Sequence, residues 1–286
     1  METVGMIGVG TMGTILLQHL RAAGLAVAAY DCDSAALERA RSLGAEVARS
    51  SRAVAETATL IDVVVRTDSD IFACMTGPDG ALAGARAGTL VLLHSTIHPR
   101  TTRAVAEQAR EKGVHVIDAC MVGSPRIARS GNITFLVGGP PDLVERARPH
   151  LLRMGKDVIH MGALSMGNVG KLVKNLVTGA ETLVVYEAAE LAHAAGVDYR
   201  AALEMLQKTH TGTMLERWRE VFDPARPAPM PGAGQNVFEK DIPLAAALAR
   251  DLNLDLAITA ELAATALRVV EAHRKERFGQ GARSEG

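Results

Sequence analysis

The stretch GNVGKLVKNL at residues 167–176 places three side chains with proton and hydrogen-bond chemistry, Lys171, Lys174 and Asn175, in an otherwise apolar run. There is no proline from residue 168 to 195, and Gly170 and Gly179 are the only glycines, so the run reads as a long α-helix. At roughly 100° per residue, Asn175 falls about 40° from Lys171, and Lys174 about 60° away on the other side. Thr178 and Thr182 continue the stripe, while Val173, Leu176, Val177, Ala180, Leu183 and Val184 take the opposite side. A solvated face would account for such a stripe, although one fading from lysine to threonine is not the usual run of Glu, Lys and Arg. The chemical reading is that an ammonium gives a proton to an oxygen gaining negative charge and takes it back as a neutral amine. That work requires burial or nearby positive charge to bring a lysine towards neutrality. Lys174 would supply the like charge, and Asn175, at i+4, would orient the lysine or a substrate.

A second group of residues weighs towards the chemical reading. The N-terminal run VGMIG leads into GVGTMG, with Gly8, Gly10 and Gly13 in G-x-G-x-x-G spacing between a strand pattern and a helix pattern. The first glycine permits a tight turn, the second lets a pyrophosphate approach the backbone, and the third lets helix and strand pack closely. Unpaired N–H groups at the following helix start would meet the phosphates. The whole loop is therefore expected to bind a dinucleotide: Gly8, Val9, Gly10, Thr11, Met12 and Gly13. Asp31 ends the next strand pattern, where a carboxylate takes the adenosine ribose hydroxyls. It would repel a 2′-phosphate, with Asp33 beside it, so NAD is expected over NADP. Hydride transfer to or from nicotinamide needs a proton partner for the substrate oxygen, and Lys171 is the candidate.

The elements that must position these residues follow from periodicity. Apolar runs at residues 4–8, 25–31, 60–66, 89–95, 114–118, 133–139 and 157–162 read as buried strands, with helical patterns at 34–43 and 99–112 between them. Continuous apolar strands alternating with helices predict a parallel sheet covered on both faces. Beyond Gly167 the strand signals stop. Helices are expected at 168–195, 199–209, 213–222, 238–250 and 256–277, with a Pro/Gly-rich loop or lid at 223–236 and a frayed tail after 278. The expected architecture is α/β: a Rossmann-type parallel-sheet domain at 1–163, then an all-α domain at 164–286, joined through the long helix.

Composition limits the alternatives. The 286 residues carry a formal net charge of -1, which gives no electrostatic case for nucleic acid or an anionic membrane. Cys32, Cys74 and Cys120 are widely spaced and odd in number, and read as reduced thiols of a cytoplasmic protein. No cluster has metal-ligand spacing, so no metal is expected. His98, His115 and His160 are scattered and read as structural. No apolar run is long enough to span a bilayer.

These residues, in this order, resemble the β-hydroxyacid dehydrogenase family over nearly the whole chain. Gly8, Gly10, Met12 and Gly13 match its G-x-G-x-M-G fingerprint. Ser95, Thr96 and Pro99 match S-T-x-x-P, and Gly167, Lys171 and Asn175 match G-x-x-x-K-x-x-x-N. The resemblance implies Lys171 as catalytic acid/base, Asn175 as its substrate-side partner and Thr96 near the nicotinamide. It also implies that Lys240, of the pair Lys240–Asp241, reaches the cofactor or substrate, and that the substrate is a small carboxylate-bearing alcohol or carbonyl.

Three departures stand out. The family's substrate motif D-A-P-V-S-G-G is DACMVGS here, so Val122 replaces the serine that binds a substrate carboxylate, with Gly123 and Ser124 after it. That leaves residues 122–124 as the expected substrate segment and predicts poor activity on the family's shortest acids. The L-P-D loop is shortened to RTDSD, and Lys174 stands where asparagine is common. Two alternatives remain at this point. One is C=N reduction, as in imine reductases, which usually lack the lysine. The other is a dinucleotide-binding regulatory module without turnover. The long helix is apolar around most of its later course, and such a helix is normally buried. A homodimer or homotetramer is therefore expected.

Overall fold

The computed structural model describes residues 3–209 and 237–279. The expected helix at 213–222, the loop at 223–236 and all but the start of the tail lie outside the described residues. The chain divides into two compact units, Met1–Lys171 and Leu172–Gly286, with the boundary inside the long helix.

In the first unit, β1 (Thr3–Ile7) leads to α1 (Thr11–Ala22), β2 (Ala26–Tyr30), α2 (Ser34–Ser42), β3 (Glu46–Val47) and α3 (Ser51–Thr57). The chain then crosses to β4 (Leu60–Val63), α4 (Asp68–Met75), α5 (Ala81–Gly84), β5 (Leu90–Leu93), α6 (Pro99–Arg110) and β6 (His115–Val122). A short α7 (Pro125–Arg129) precedes β7 (Thr134–Gly138), α8 (Pro141–Leu151), β8 (Asp157–Gly162) and the long α9 (Met166–Ala194). The eight strands form one sheet in the order β3-β2-β1-β4-β5-β6-β7-β8. Chain direction across the sheet reverses between β1 and β4, the switch point outside which open α/β sheets bind ligands.

The central strands β4 and β5 are buried along their whole length because both faces of the sheet are covered there. Leu90 and Leu92 of β5 join one core cluster, and Val91 and Leu93 join the other. Each such buried aliphatic side chain contributes about 1.5–3 kcal/mol. Helix starts are fixed by local caps: Asp33 accepts from the Ala35 amide, and Thr67 and Asp70 form a reciprocal box on α4.

The structure corrects the expectation of a wholly parallel sheet. Strand β6 pairs antiparallel with β7, while every other pair is parallel. Between Val122 and Thr134 the only regular element is the five-residue α7, and a parallel return needs a crossover of about a dozen residues or more. Strand β6 also runs on to Val122, past the expected end at 118, and the two-residue β3 was not foreseen.

The described part of the second unit is helical: the rest of α9, then α10 (Tyr199–Thr209), a π-helical turn at Val237–Asp241, α11 (Ile242–Asp251) and α12 (Ala257–Gly279). The helix expected at 238–250 thus begins with a wider turn. Leu183, Phe238, Ile242 and Ala266 form its small core. A Cβ at Gly179 would lie 2.5 Å from Ile242 Cδ1, so α9 and α11 touch where α9 has no side chain. Along α9 the polar stripe turns inward, with Asn175 and Thr182 buried, while Val173, Val177, Val184 and Leu191 are each more than half exposed. Among the described residues, no helix is long and apolar enough to cross a membrane.

Candidate functional site

Strands β1, β4, β5 and β6 are adjacent and parallel, so their carboxyl ends share one edge of the sheet. The glycine loop leaves β1 there. Gly8 has φ +90°, and a Cβ on it would lie 2.3 Å from Val64 O, so only glycine makes this turn. A Cβ on Gly13 would lie 2.0 Å from Gly8 O, which makes that glycine the contact between α1 and the loop. Around Gly10 a Cβ would meet nothing within 4 Å, and no side chain caps α1. Open space beside an uncapped helix start fits a dinucleotide's pyrophosphate. The Val9 side chain is buried in the core, so Val9 offers the loop only its backbone.

Asp31 is held against that loop. Its Oδ2 accepts the Val9 N–H at 2.7 Å and its Oδ1 accepts the Asp33 N–H at 2.9 Å. The β5–α6 loop is tied to its neighbour by Ser95, whose Oγ donates to Val65 O at 2.7 Å and accepts from the Val65 amide at 3.2 Å. Thr96 follows, half-buried.

At the end of β6, Met121 to Ser124 are half-buried. Ser124 caps α7, accepting from the Ile127 amide at 3.4 Å. Lys171 is half-buried, and its Nζ donates to Met121 O at 2.6 Å. That contact holds the ammonium on a strand end, beside the segment expected to meet substrate.

Asn175 and Lys240 belong to the second unit. Asn175 is buried, with Oδ1 accepting from Lys174 Nζ at 3.3 Å and Nδ2 donating to Asp241 Oδ2 at 2.7 Å. Lys240 Nζ lies 3.5 Å from Asp241 Oδ1. The amide orientation follows from this arrangement, with its oxygen towards an ammonium and its nitrogen towards a carboxylate. Lys174 therefore serves Asn175 directly, a role the sequence reading had not given it.

Other buried polar groups escaped the sequence reading. Asp118 accepts the Ser165 N–H at 2.6 Å and the Asn168 N–H at 2.7 Å at the start of α9. Burial pushes its carboxyl up to about 6, against the pull of the Asn168 and Ser165 amides. Because the folded value is raised, the stability it brings is present in acid and lost as pH rises through about 6. Asp62, in the middle of β4, is clasped between His94 and His150. A carboxylate in a strand buried on both faces must have partners, and that was the available signal.

Comparison with known proteins places the chain. Residues 3–162 match the family model for the NAD-binding domain of 6-phosphogluconate dehydrogenase. Residues 165–280 match the model described as the NAD-binding region of NADP-dependent 3-hydroxyisobutyrate dehydrogenase. An NAD-dependent L-serine dehydrogenase of Pseudomonas aeruginosa is 31% identical over 225 residues, covering 78% of this chain and 74% of that protein. A 3-hydroxyisobutyrate dehydrogenase of the same organism is 31% identical over 257 residues, covering 87% and 86%. Among solved structures, the Mycobacterium tuberculosis 3-hydroxyisobutyrate dehydrogenase with L-serine superposes with a TM-score of 0.82 at 25% identity, covering 96% of this chain and 95% of that one. With the glycine loop, Asp31 and the anchored Lys171 in place, the chain belongs to the β-hydroxyacid dehydrogenase family and is a nicotinamide-dinucleotide-dependent oxidoreductase acting at CH–OH groups.

Proposed function

We propose that the chain interconverts a 3-hydroxy acid and its carbonyl form with NAD, and that Lys171 holds and moves the proton at the substrate oxygen. Bound NAD takes the hydride in oxidation and returns it in reduction. The observation that carries this reading is the bond from Lys171 Nζ to Met121 O, which holds the ammonium beside residues 122–124. In reduction the ammonium donates to the oxygen as it becomes alkoxide-like, and in oxidation the neutral amine takes that proton back. Asn175, its amide fixed by Lys174 and Asp241, serves as a rigid hydrogen-bonding partner on the substrate side. Thr96 and Lys240 belong to the cofactor side of this assignment.

The carboxylate of the substrate is the less ordinary part. The valine side chain at 122 cannot donate a hydrogen bond, so a carboxylate placed against it is under-satisfied unless Ser124, the Gly123 amide or Arg126 supplies the bond. A hydrogen bond to a charged group contributes about 1.5–3 kcal/mol. We therefore expect weak activity on 3-hydroxyisobutyrate and better activity on bulkier, less polar 3-hydroxy acids. Following NAD reduction across such a series tests the function. A tenfold or larger rise in kcat/KM for 3-hydroxyisobutyrate in Val122→Ser supports the reading of Val122, whereas high wild-type activity with no gain from serine removes that reading and makes Ser124 or Arg126 the carboxylate's partner. No NAD reduction with any acid of the series removes the function.

NAD is the preferred cofactor in this reading, supported by the Asp31 carboxylate fixed beside the loop. Wild type should favour NAD over NADP by about tenfold or more in kcat/KM, on the order of 1.4 kcal/mol. Asp31→Ser should narrow that ratio. Equal use of both cofactors by wild type would end the reading.

The chain also forms homo-oligomers in this proposal, a dimer or tetramer, with a second copy covering the apolar side of α9. Val173, Val177, Val184 and Leu191 are exposed there, as are Leu254, Leu256 and Ile258 in the same unit. Exposed apolar area of this extent marks an association surface. A monomer in light scattering at micromolar concentration would refute it.

A further inference from the structure

Asn168 lies one turn before Lys171 on α9 and is fully buried. Its side chain uses both ends. Oδ1 accepts from Thr102 Oγ1 of α6 at 2.6 Å. Nδ2 donates to Ser95 O of the β5–α6 loop at 3.3 Å and to Cys120 Sγ of β6 at 3.2 Å. Its backbone N–H goes to Asp118 Oδ2, also on β6. Gly167 lets the helix come this close, since a Cβ there would lie 2.4 Å from Leu136 O and 2.7 Å from Asp118 Oδ2.

Lys171 then reaches Met121 O, the carbonyl next to Cys120. The first turn of α9 is thus tied to the same strand at residues 118, 120 and 121. A lysine ammonium sits on four flexible carbons, so its position depends on where the helix sets its root. Asn168 projects about 60° around the helix from Lys171. Rotating α9 enough to lift Lys171 from Met121 would break bonds of a buried amide, and unmet buried polar groups are costly.

We propose that Asn168 is the positioning residue for Lys171: its buried amide locks the rotation of α9 against β6 and the β5–α6 loop and so sets where the ammonium lies. The catalytic half of this inference rests on the Lys171 reading above; the geometric half does not. Placement matters steeply in proton transfer, where a misplacement of about 1 Å can cost roughly 10²-fold.

The test uses the full-length protein labelled with [ε-¹³C]lysine, which has seven lysines to resolve. The Lys171 signal is the one missing in Lys171→Met. Asn168→Ala should move that signal towards the exposed lysines and leave the others in place. Thr102→Val, which removes one bond at nearly constant shape, should move it part of the way, and decides the matter if Asn168→Ala does not fold. A Lys171 signal unmoved in the folded variants overturns the proposal.

Kinetics on 3-hydroxyisobutyrate, or on the best acid of the series, separates this proposal from the reading beneath it. Asn168→Ala should lower kcat about 10- to 100-fold with KM for NAD within about twofold. In the Lys171→Met background it should cost nothing further, because both changes act through one group. A further tenfold loss there would make Asn168 a general structural residue and overturn the proposal. A moved signal with unchanged turnover in Lys171→Met would leave the positioning intact and sink the catalytic reading instead.

Discussion

Replacing Lys171 with methionine should lower turnover on the best hydroxy acid by about 10²–10⁴-fold, the usual cost of a lost acid/base. Methionine keeps the length and the apolar stem, so packing on β6 should survive. NAD affinity, read by cofactor fluorescence, should change by no more than about twofold, because the dinucleotide is assigned to the glycine loop and Asp31. KM for the acid should change less than kcat, since an interaction made mainly in the transition state has been removed. Lys174→Asn should do far less, as its contact is to Asn175 Oδ1. Turnover near wild type in Lys171→Met would mean that the ammonium bound to Met121 O is only an anchor.

How much of this was legible in the sequence depends on the range over which each residue acts. The glycine loop could be read because its three glycines answer separate local needs, a positive φ at Gly8, open space at Gly10 and close approach at Gly13. The long helix was legible from its lack of proline. Periodicity located its polar stripe, yet it carries no information on which side faces inward, and the buried side proved to be the one with Asn175 and Thr182. Strand direction is equally silent in an apolar run, so the antiparallel β6–β7 pair was missed. Asn168 could not be found because its partners lie 66, 73 and 48 residues away. Those distances are closed only by the sheet order. The bond from Lys174 to the adjacent Asn175 is likewise invisible in the spacing, which indicates only a like charge near Lys171.

Asp62→Ala should have the largest effect on stability. The carboxylate is fully buried, with Oδ1 2.8 Å from His94 Nε2 and Oδ2 2.8 Å from His150 Nε2. The other nitrogen of His94 reaches Ala119 O at 2.8 Å, so the cluster links β4, the start of the β5–α6 loop, β6 and α8. Burial pushes the Asp62 carboxyl up, but its imidazole partners, His150 ahead of His94, outweigh that and hold it below the usual carboxylate range. Truncation leaves two buried imidazoles without their shared acceptor, and removing one partner of such a cluster costs about 3–5 kcal/mol. For a unit of this size that is a fall in Tm of roughly 6–20 °C. The pH dependence has a definite sign. A depressed folded value means that the carboxyl's contribution is full above its unfolded value of about 3.9 and is lost as pH falls below it. The gap between wild type and Asp62→Ala should therefore narrow in acid, below about pH 4. Calorimetry at neutral and acid pH checks both statements. A Tm within about a degree of wild type at neutral pH would mean that the histidines find other partners and that the cluster does not hold the sheet.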